Sequence, residues 1–230
     1  MGAILKRELS SYFNSATAYV VMAVYFFFSG LFFYTYCFAY NSASLAGVYG
    51  NMFYIIMFII PIITMKTFAE EKRQKTDQAL LTAPTSLTEI VLGKFLGAFI
   101  LYLICSCIYL VYAVIISFFT TPEWSVILCT FLGVVLLGAS LIAINVFISV
   151  LTESMIIAAV FGMAVGLLIS MMSYFASMIS ISWISNALKA ISFMEYYQTC
   201  PHGSLSIVDV VFFLSVTTLF LFLTVRALEK

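Results

Sequence analysis

The sequence predicts an all-α membrane protein with six transmembrane helices. The chain is 64% hydrophobic and 9% charged, whereas soluble domains carry about 25% charged residues. Its charge-free runs extend from Leu9 to Met65, Phe95 to Pro122, Trp124 to Thr152 and Ser154 to Leu188. A helical span needs about 20 apolar residues, so the first run is long enough for two spans. These runs do not alternate as the strands of an outer-membrane barrel do, which argues against that class.

Turn residues divide these runs into six spans within a single transmembrane domain, residues 1–230. Gly, Asn and Ser residues mark a turn at Asn41–Gly50, and Pro122 and the segment Thr152–Ser154 mark two more. The predicted spans cover residues 17–40, 48–68, 92–119, 125–150, 155–179 and 207–227.

The distribution of positive charge orients the chain. An even number of spans places both termini on one side of the membrane. Nine of the ten Lys and Arg residues then share that side, and only Lys189 lies opposite. Because cytoplasmic loops carry the excess of Lys and Arg, we predict that both termini are cytoplasmic. The formal net charge of zero gives no information about nucleic-acid binding, and we expect no nucleic-acid partner.

Residues 1–15 have the pattern of an interfacial helix. Apolar residues at helical spacing occupy one face and polar residues the other, which is typical of a helix in the headgroup plane. The alternative is that these residues only begin span 1. The apolar face is Leu5, Leu9, Tyr12 and Phe13, and the polar face is Lys6, Arg7, Ser10, Ser11 and Asn14.

Residues 180–206 are too long for a tight turn between the last two spans. Trp183, Ala187 and Ile191 fall on one helical face, and Asn186 and Lys189 on another. This pattern predicts a short amphipathic or re-entrant helix on the outer surface, before span 6.

The polar loop from Lys66 to Lys94 holds nine of the chain's twenty Asp, Glu, Lys and Arg residues. Residues 76–81 favour a short helix, which Pro84 ends. Ser86 and Glu89 form a capping-box pattern, so a new helix should begin near Leu87. We predict a cytoplasmic docking segment over residues 69–88; the alternative is an ordinary solvated loop.

This loop also carries a family resemblance. It resembles the hallmark between the second and third spans of ABC-2-type ABC transporter permeases, closest to the short permeases of the gliding-motility and nitrous-oxide-reductase-maturation type. Lys75 stands where that family commonly has glycine. The tail is similar as well, at Ser206–Asp209, Phe212–Leu214 and Arg226. The loop residues are Pro61 to Glu71, Thr76, Leu80, Leu81, Pro84 and Glu89 to Lys94.

The resemblance implies a permease in the bacterial inner membrane that functions in export. Its loop would be a coupling helix seated on a separate ABC ATPase, present in two copies, which binds the ATP and Mg. A second permease, identical or homologous, would complete the pathway. Pro61 is the expected kink in span 2. The residues expected to face the ATPase are Glu70, Glu71, Arg73, Thr76, Leu80, Leu81, Pro84 and Glu153.

Three observations bear on other functions. The sequence has no GxxxxGK[ST] loop, and Gly93-Lys94 opens a span, so we expect no ATP hydrolysis by this chain. Its one histidine, His202, has no ligand cluster, and no catalytic or cofactor-binding constellation is present, so we expect neither an enzyme nor a metal site.

Two alternative functions remain open at this level. An ion-coupled secondary transporter usually buries ionisable residues within its spans. Here the charges fall near span boundaries, and Asn145, the most polar residue deep in a span, is expected to make a helix–helix hydrogen bond. The second alternative is a membrane anchor that transports nothing. The absence of a charged pathway lining favours amphipathic cargo over a small ion.

Overall fold

All secondary structure in the described part of the chain is helical. The computed structural model describes residues 2–40, 44–75, 86–179, 181–199 and 206–229. Six helical segments within these ranges are long and apolar enough to cross a membrane. The prediction of an all-α fold with six spans is confirmed.

The helices follow the predicted order, with helix α1 ahead of span 1. Span 1 combines α2 with a π-helical end, and span 3 combines α5 and α6, which meet at Cys107. The helices are α1 (Gly2–Phe13), α2 (Ala16–Phe33) with its π segment (Tyr34–Ala39), α3 or span 2 (Ala46–Thr64), α4 (Ala69–Gln74), α5 (Leu87–Ser106), α6 (Ile108–Ser117), α7 or span 4 (Trp124–Leu151), α8 or span 5 (Met155–Met178), α9 (Ser182–Ile191), α10 (Phe193–Thr199) and α11 or span 6 (Ile207–Leu228).

Serine side chains begin several of these helices. Ser86 Oγ accepts a hydrogen bond from the Glu89 backbone N–H at 3.3 Å, so α5 begins at Leu87, where the capping-box pattern predicts. Ser206 and Asp209 form a full capping box at the start of span 6. Each such cap satisfies a backbone N–H that the first helical turn leaves without a partner.

Spans 2 and 4 form the centre of the bundle. In each of them, 67% of the most apolar 18-residue stretch is buried. The corresponding share is 22% in spans 5 and 6 and 28% in span 1. Tyrosines from the surrounding spans close the core: Tyr25 donates to Tyr109 Oη at 3.0 Å, and Tyr102 donates to the Val134 carbonyl at 2.9 Å. Spans 1, 5 and 6 therefore supply most of the surface that remains for lipid or for another protein.

Span 5 packs against the proline of span 2 through two glycines. A Cβ atom on Gly162 would lie 3.0 Å from Pro61 Cβ, and one on Gly166 would lie 3.4 Å from the Met57 carbonyl oxygen. Pro61 has no N–H to donate to that carbonyl. Span 2 continues as a helix through Pro61 to Thr64. The glycines therefore allow span 5 to approach span 2 most closely where its backbone bonding is interrupted.

The prediction that Asn145 makes a hydrogen bond to a neighbouring helix is wrong. Its amide Nδ2 donates to Leu141 O, one turn back in the same helix, at 2.8 Å. Its Oδ1 has no hydrogen-bond partner and lies against Gly162. The side chain bonds within span 4 because the facing surface of span 5 is a glycine, which offers no polar side chain.

The helical loop before span 6 has two parts. Helix α9 lies along span 5, where Ser185 donates to the Ala176 carbonyl at 2.8 Å, and its Trp183 is exposed. Helix α10 enters the bundle, since Tyr197 is buried and donates to the Tyr49 carbonyl at 2.9 Å. The amphipathic segment of the sequence corresponds to α9, and His202 lies outside the described residues.

Candidate functional site

Lys94 is the centre of an ion-pair cluster at the end of the bundle that carries α1 and α4. The residue is 1% exposed. Its Nζ lies 2.9 Å from Glu71 Oε1 and 3.0 Å from Glu8 Oε1, and it donates to the Thr67 carbonyl at 2.6 Å. One ammonium group therefore joins α1, the segment after span 2, and the first half of span 3.

The cluster balances charge around the Lys94 side chain, which is almost fully buried. A buried ammonium needs both opposite charge and hydrogen bonds to offset its lost hydration. Lys94 has both, and the Phe68 ring centroid lies 5.0 Å from its Nζ. Arg7 supplies a second cation, 3.5 Å from Glu71 Oε1. Two cations thus face the two carboxylates of Glu8 and Glu71.

Helix α1 reaches Lys94 because α5 presents two glycines to it. A Cβ on Gly93 would lie 2.8 Å from Ile4 Cγ2, and one on Gly97 would lie 2.9 Å from Glu8 Cβ. Small residues four positions apart allow helices within a membrane to approach closely. The close approach places the Glu8 carboxylate beside the ammonium of Lys94.

Tyr12 fixes the other end of α1 to span 2. Its hydroxyl donates to the Ile63 carbonyl at 3.1 Å. Burial, and secondarily the charge of Glu8, raises the pKa of Tyr12, so the hydroxyl keeps its proton and its role as donor. Leu5 and Leu9 are half-buried, while Lys6 and Arg7 are exposed. The amphipathic pattern of α1 thus separates its two faces, and its inner face packs on span 3.

Helix α4 is bound to the end of span 4. Ser149 Oγ accepts hydrogen bonds from the backbone N–H groups of Phe68 at 3.2 Å and Ala69 at 3.1 Å. Lys72 Nζ donates to the Val150 carbonyl. The serine satisfies N–H groups at the start of α4, and the lysine places a cation at the C-terminus of span 4, where the helix dipole favours it.

The opposite side of α4 is open. Arg73, Gln74 and Lys75 are exposed, and Glu70 is half-buried, with Gln74 Nε2 3.3 Å from its Oε1. Lys75 ends the helix with φ 55°, in the left-handed region. Glycine adopts this conformation without strain, so Lys75 occupies a position that suits glycine better than a residue with a Cβ atom.

The predicted ATPase-facing residues divide into four groups. Glu70 and Arg73 lie on or beside the open side of α4, whereas Glu71 turns toward Lys94. Glu153 is exposed in the turn between spans 4 and 5, and α4 contacts both spans. Thr76, Leu80, Leu81 and Pro84 lie outside the described residues. Pro61 is buried within span 2, away from this surface.

Sequence reasoning missed the roles of Glu8 and Lys94. The glycine pairs Gly93/Gly97 and Gly162/Gly166 carry a detectable signal, since each is a small-xxx-small pattern inside an apolar helix. Within the described ranges, no group of three His, Cys, Asp or Glu side chains is placed to hold a metal ion. The chemistry of the described site is that of ion pairs and backbone hydrogen bonds.

Six apolar spans with a charged helical segment at one end of the bundle define a multi-pass membrane protein. The model of the family described as ABC-2 family transporter protein matches residues 35–225, so the chain belongs to this family and is a membrane permease of an ABC transporter. No match was found among curated proteins. The match covers α4, spans 2 to 5 and most of span 6, and it begins after α1.

Proposed function

We propose that this permease forms half of an export pathway and is driven by a separate ABC ATPase that docks on α4 and the residues that follow it. The observation that carries this proposal is the attachment of α4: one side is fixed to α1, span 3 and span 4, and the other is open. The open side carries Arg73. This arrangement suits a segment that receives a push from a soluble partner.

The contacts of α4 with spans 3 and 4 would transmit a displacement of α4 to these spans. Glu71 links it to Lys94 in span 3, and Ser149 and Lys72 link it to the end of span 4. Because α4 follows span 2 after a short turn, span 2 moves with it. Ion pairs and packed helices that are shared by several spans transmit displacement as a unit.

The proposed assembly has two ATPase copies, which bind ATP and Mg, and a second permease, identical or homologous. Spans 1, 5 and 6 have enough unburied surface for a permease partner and for lipid. We place the protein in the bacterial inner membrane with both termini in the cytoplasm, on the side of Arg73 and Lys94. Reporter fusions at each terminus test this orientation.

The cargo that best suits this interior is amphipathic. Two of the charged residues found inside the bundle have structural partners: Lys94 lies in the ion-pair cluster, and Asp209 caps span 6. Neither is left to coordinate a small ion in transit. This favours lipid-like cargo and weighs against an ion-coupled carrier.

Purification of the tagged chain from its native host tests the ATPase partnership. We expect an ATPase subunit to co-purify with the wild type, to be lost with Arg73→Glu or Leu80→Glu, and to remain with Lys189→Glu. Failure of any ATPase to co-purify contradicts the proposal. Transport in ATP-free liposomes under an ion gradient would instead identify a carrier. Retention of the ATPase without ATP-dependent transport would identify an anchor.

A further inference from the structure

An apolar groove separates the first turns of span 3 from the last turns of span 6. It has a volume of about 480 Å³, within the range of about 300–1,000 Å³ that ligand sites occupy. Its walls are hydrocarbon, from Val91, Leu92, Leu221, Phe222 and Val225. The groove lies at the same end of the bundle as Lys94, away from α9.

The length of the groove matches one leaflet. It runs along span 6 from Thr218 to Glu229, which corresponds to a rise of about 16 Å, roughly half of a ~30 Å hydrocarbon core. Its two hydroxyl groups are already bonded: Thr88 lies 3.1 Å from Ser86 Oγ, and Thr218 donates to the Leu214 carbonyl at 2.8 Å. The walls therefore suit a hydrocarbon chain and offer little to a polar molecule.

Arg226 and Glu229 lie together at the mouth of the groove. The side chain of Arg226 is 62% exposed, and its guanidinium lies over the Phe222 ring, 5.4 Å from the centroid. Its Nη1 donates to Glu229 Oε2 at 2.6 Å. A guanidinium has five N–H donors, so this bond leaves capacity for a phosphate oxygen, which arginine binds well.

We propose that this groove binds a phospholipid from the leaflet next to the chain termini, with an acyl chain between spans 3 and 6 and the headgroup phosphate on Arg226. The charge of Arg226 favours an anionic lipid over a zwitterionic one. This site is separate from α4 and does not depend on the ATPase partnership.

Native mass spectrometry of the purified full chain tests this site. The chain is equilibrated with equal amounts of phosphatidylglycerol and phosphatidylcholine that carry the same acyl chains. The wild type should retain phosphatidylglycerol preferentially, and Arg226→Gln should lower that preference about fivefold, as expected for loss of one cation near an anionic headgroup. Lys6→Gln, which removes an exposed cation of α1, should leave it unchanged.

A second pair of variants separates the groove from the general lipid surface. Leu92→Trp fills the groove and should reduce retention of both lipids, whereas Leu128→Trp alters an exposed leucine of span 4 and should not. An unchanged preference in Arg226→Gln, or an equal loss in Lys6→Gln, overturns the proposal. If Leu92→Trp does not fold, the comparison of Arg226→Gln with Lys6→Gln decides alone.

Discussion

The ammonium of Lys94 in span 3 lies 2.9 Å from the carboxylate of Glu71 in α4. The same ammonium lies 3.0 Å from Glu8, which is 86 positions away in the sequence. This contact joins the segment that we propose for ATPase docking to two other parts of the permease. It also shows how the ammonium of a buried lysine is stabilised in this membrane protein.

Replacement of Lys94 should be costly. Lys94→Met removes the central cation and leaves Glu8 and Glu71 facing each other, so we expect a loss of about 3–5 kcal/mol, the usual cost of breaking a buried pair. Glu71→Gln should cost less, because Glu8 still neutralises Lys94. Thermal unfolding of the purified chain measures both effects.

The exposed pair Arg226–Glu229 provides the matched control. Its side chains are 62% and 42% exposed, and exposed pairs contribute about 0–1 kcal/mol. Glu229→Gln should therefore leave the melting temperature nearly unchanged. If Lys94→Met and Glu229→Gln have the same melting temperature, the ion-pair cluster around Lys94 does not stabilise the fold.

Much of the fold follows from local sequence. Long apolar runs determine the number of spans, and the Ser86 pattern correctly predicts where α5 begins. The pairing of Glu8 with Lys94 does not follow from local sequence, because it depends on how α1 packs against span 3. A lysine in an apolar context signals burial, but only the glycines at 93 and 97 indicate which helix covers it.

Gly97→Ala should displace α1 from span 3. Its new Cβ would lie 2.9 Å from Glu8 Cβ, so the helices must separate and the Glu8–Lys94 distance must increase. Overpacking of this kind costs about 1–3 kcal/mol. Thermal unfolding should show the loss, whereas Gly50→Ala, whose Cβ meets no atom within 4 Å, should show none. Equal melting temperatures for the two variants would contradict the close packing of α1 against span 3.

Gly162 and Asn145 should behave as a coupled pair. Gly162→Ala drives a methyl group into Asn145 Oδ1 and against Pro61, so the single change should destabilise the junction of spans 2, 4 and 5. Asn145→Ala removes the obstructing amide, so the double variant should lose less than the sum of the singles, by about 0.5–3 kcal/mol. A double-mutant cycle on melting free energies measures this coupling. Strict additivity would show that the two residues are not in contact.

Asn145 also shows a limit of sequence reasoning. A buried amide in a span suggests a bond to a neighbouring helix, but the neighbour here is a glycine. Which surface faces Asn145 depends on the rotation of span 5, and the apolar composition of that span does not specify this rotation.

Lys75→Gly should stabilise the end of α4. Lys75 has φ 55°, and a residue with a Cβ in the left-handed region is strained by about 1–2 kcal/mol, a strain that glycine avoids. We expect a gain of about 1 kcal/mol. Lys75→Val should lower stability, because a β-branched side chain tolerates this conformation poorly. A lower melting temperature for Lys75→Gly would mean that the turn is not strained.

Site-specific photocrosslinking from Arg73 tests the docking role of α4 most directly. A photoreactive amino acid at position 73, on the open side of α4, should link the permease in cells to a chain with a GxxxxGK[ST] motif. The same amino acid at position 189, beyond the other end of the spans, should give no such product. Absence of the ATPase product at position 73, or equal amounts at both positions, would contradict the account.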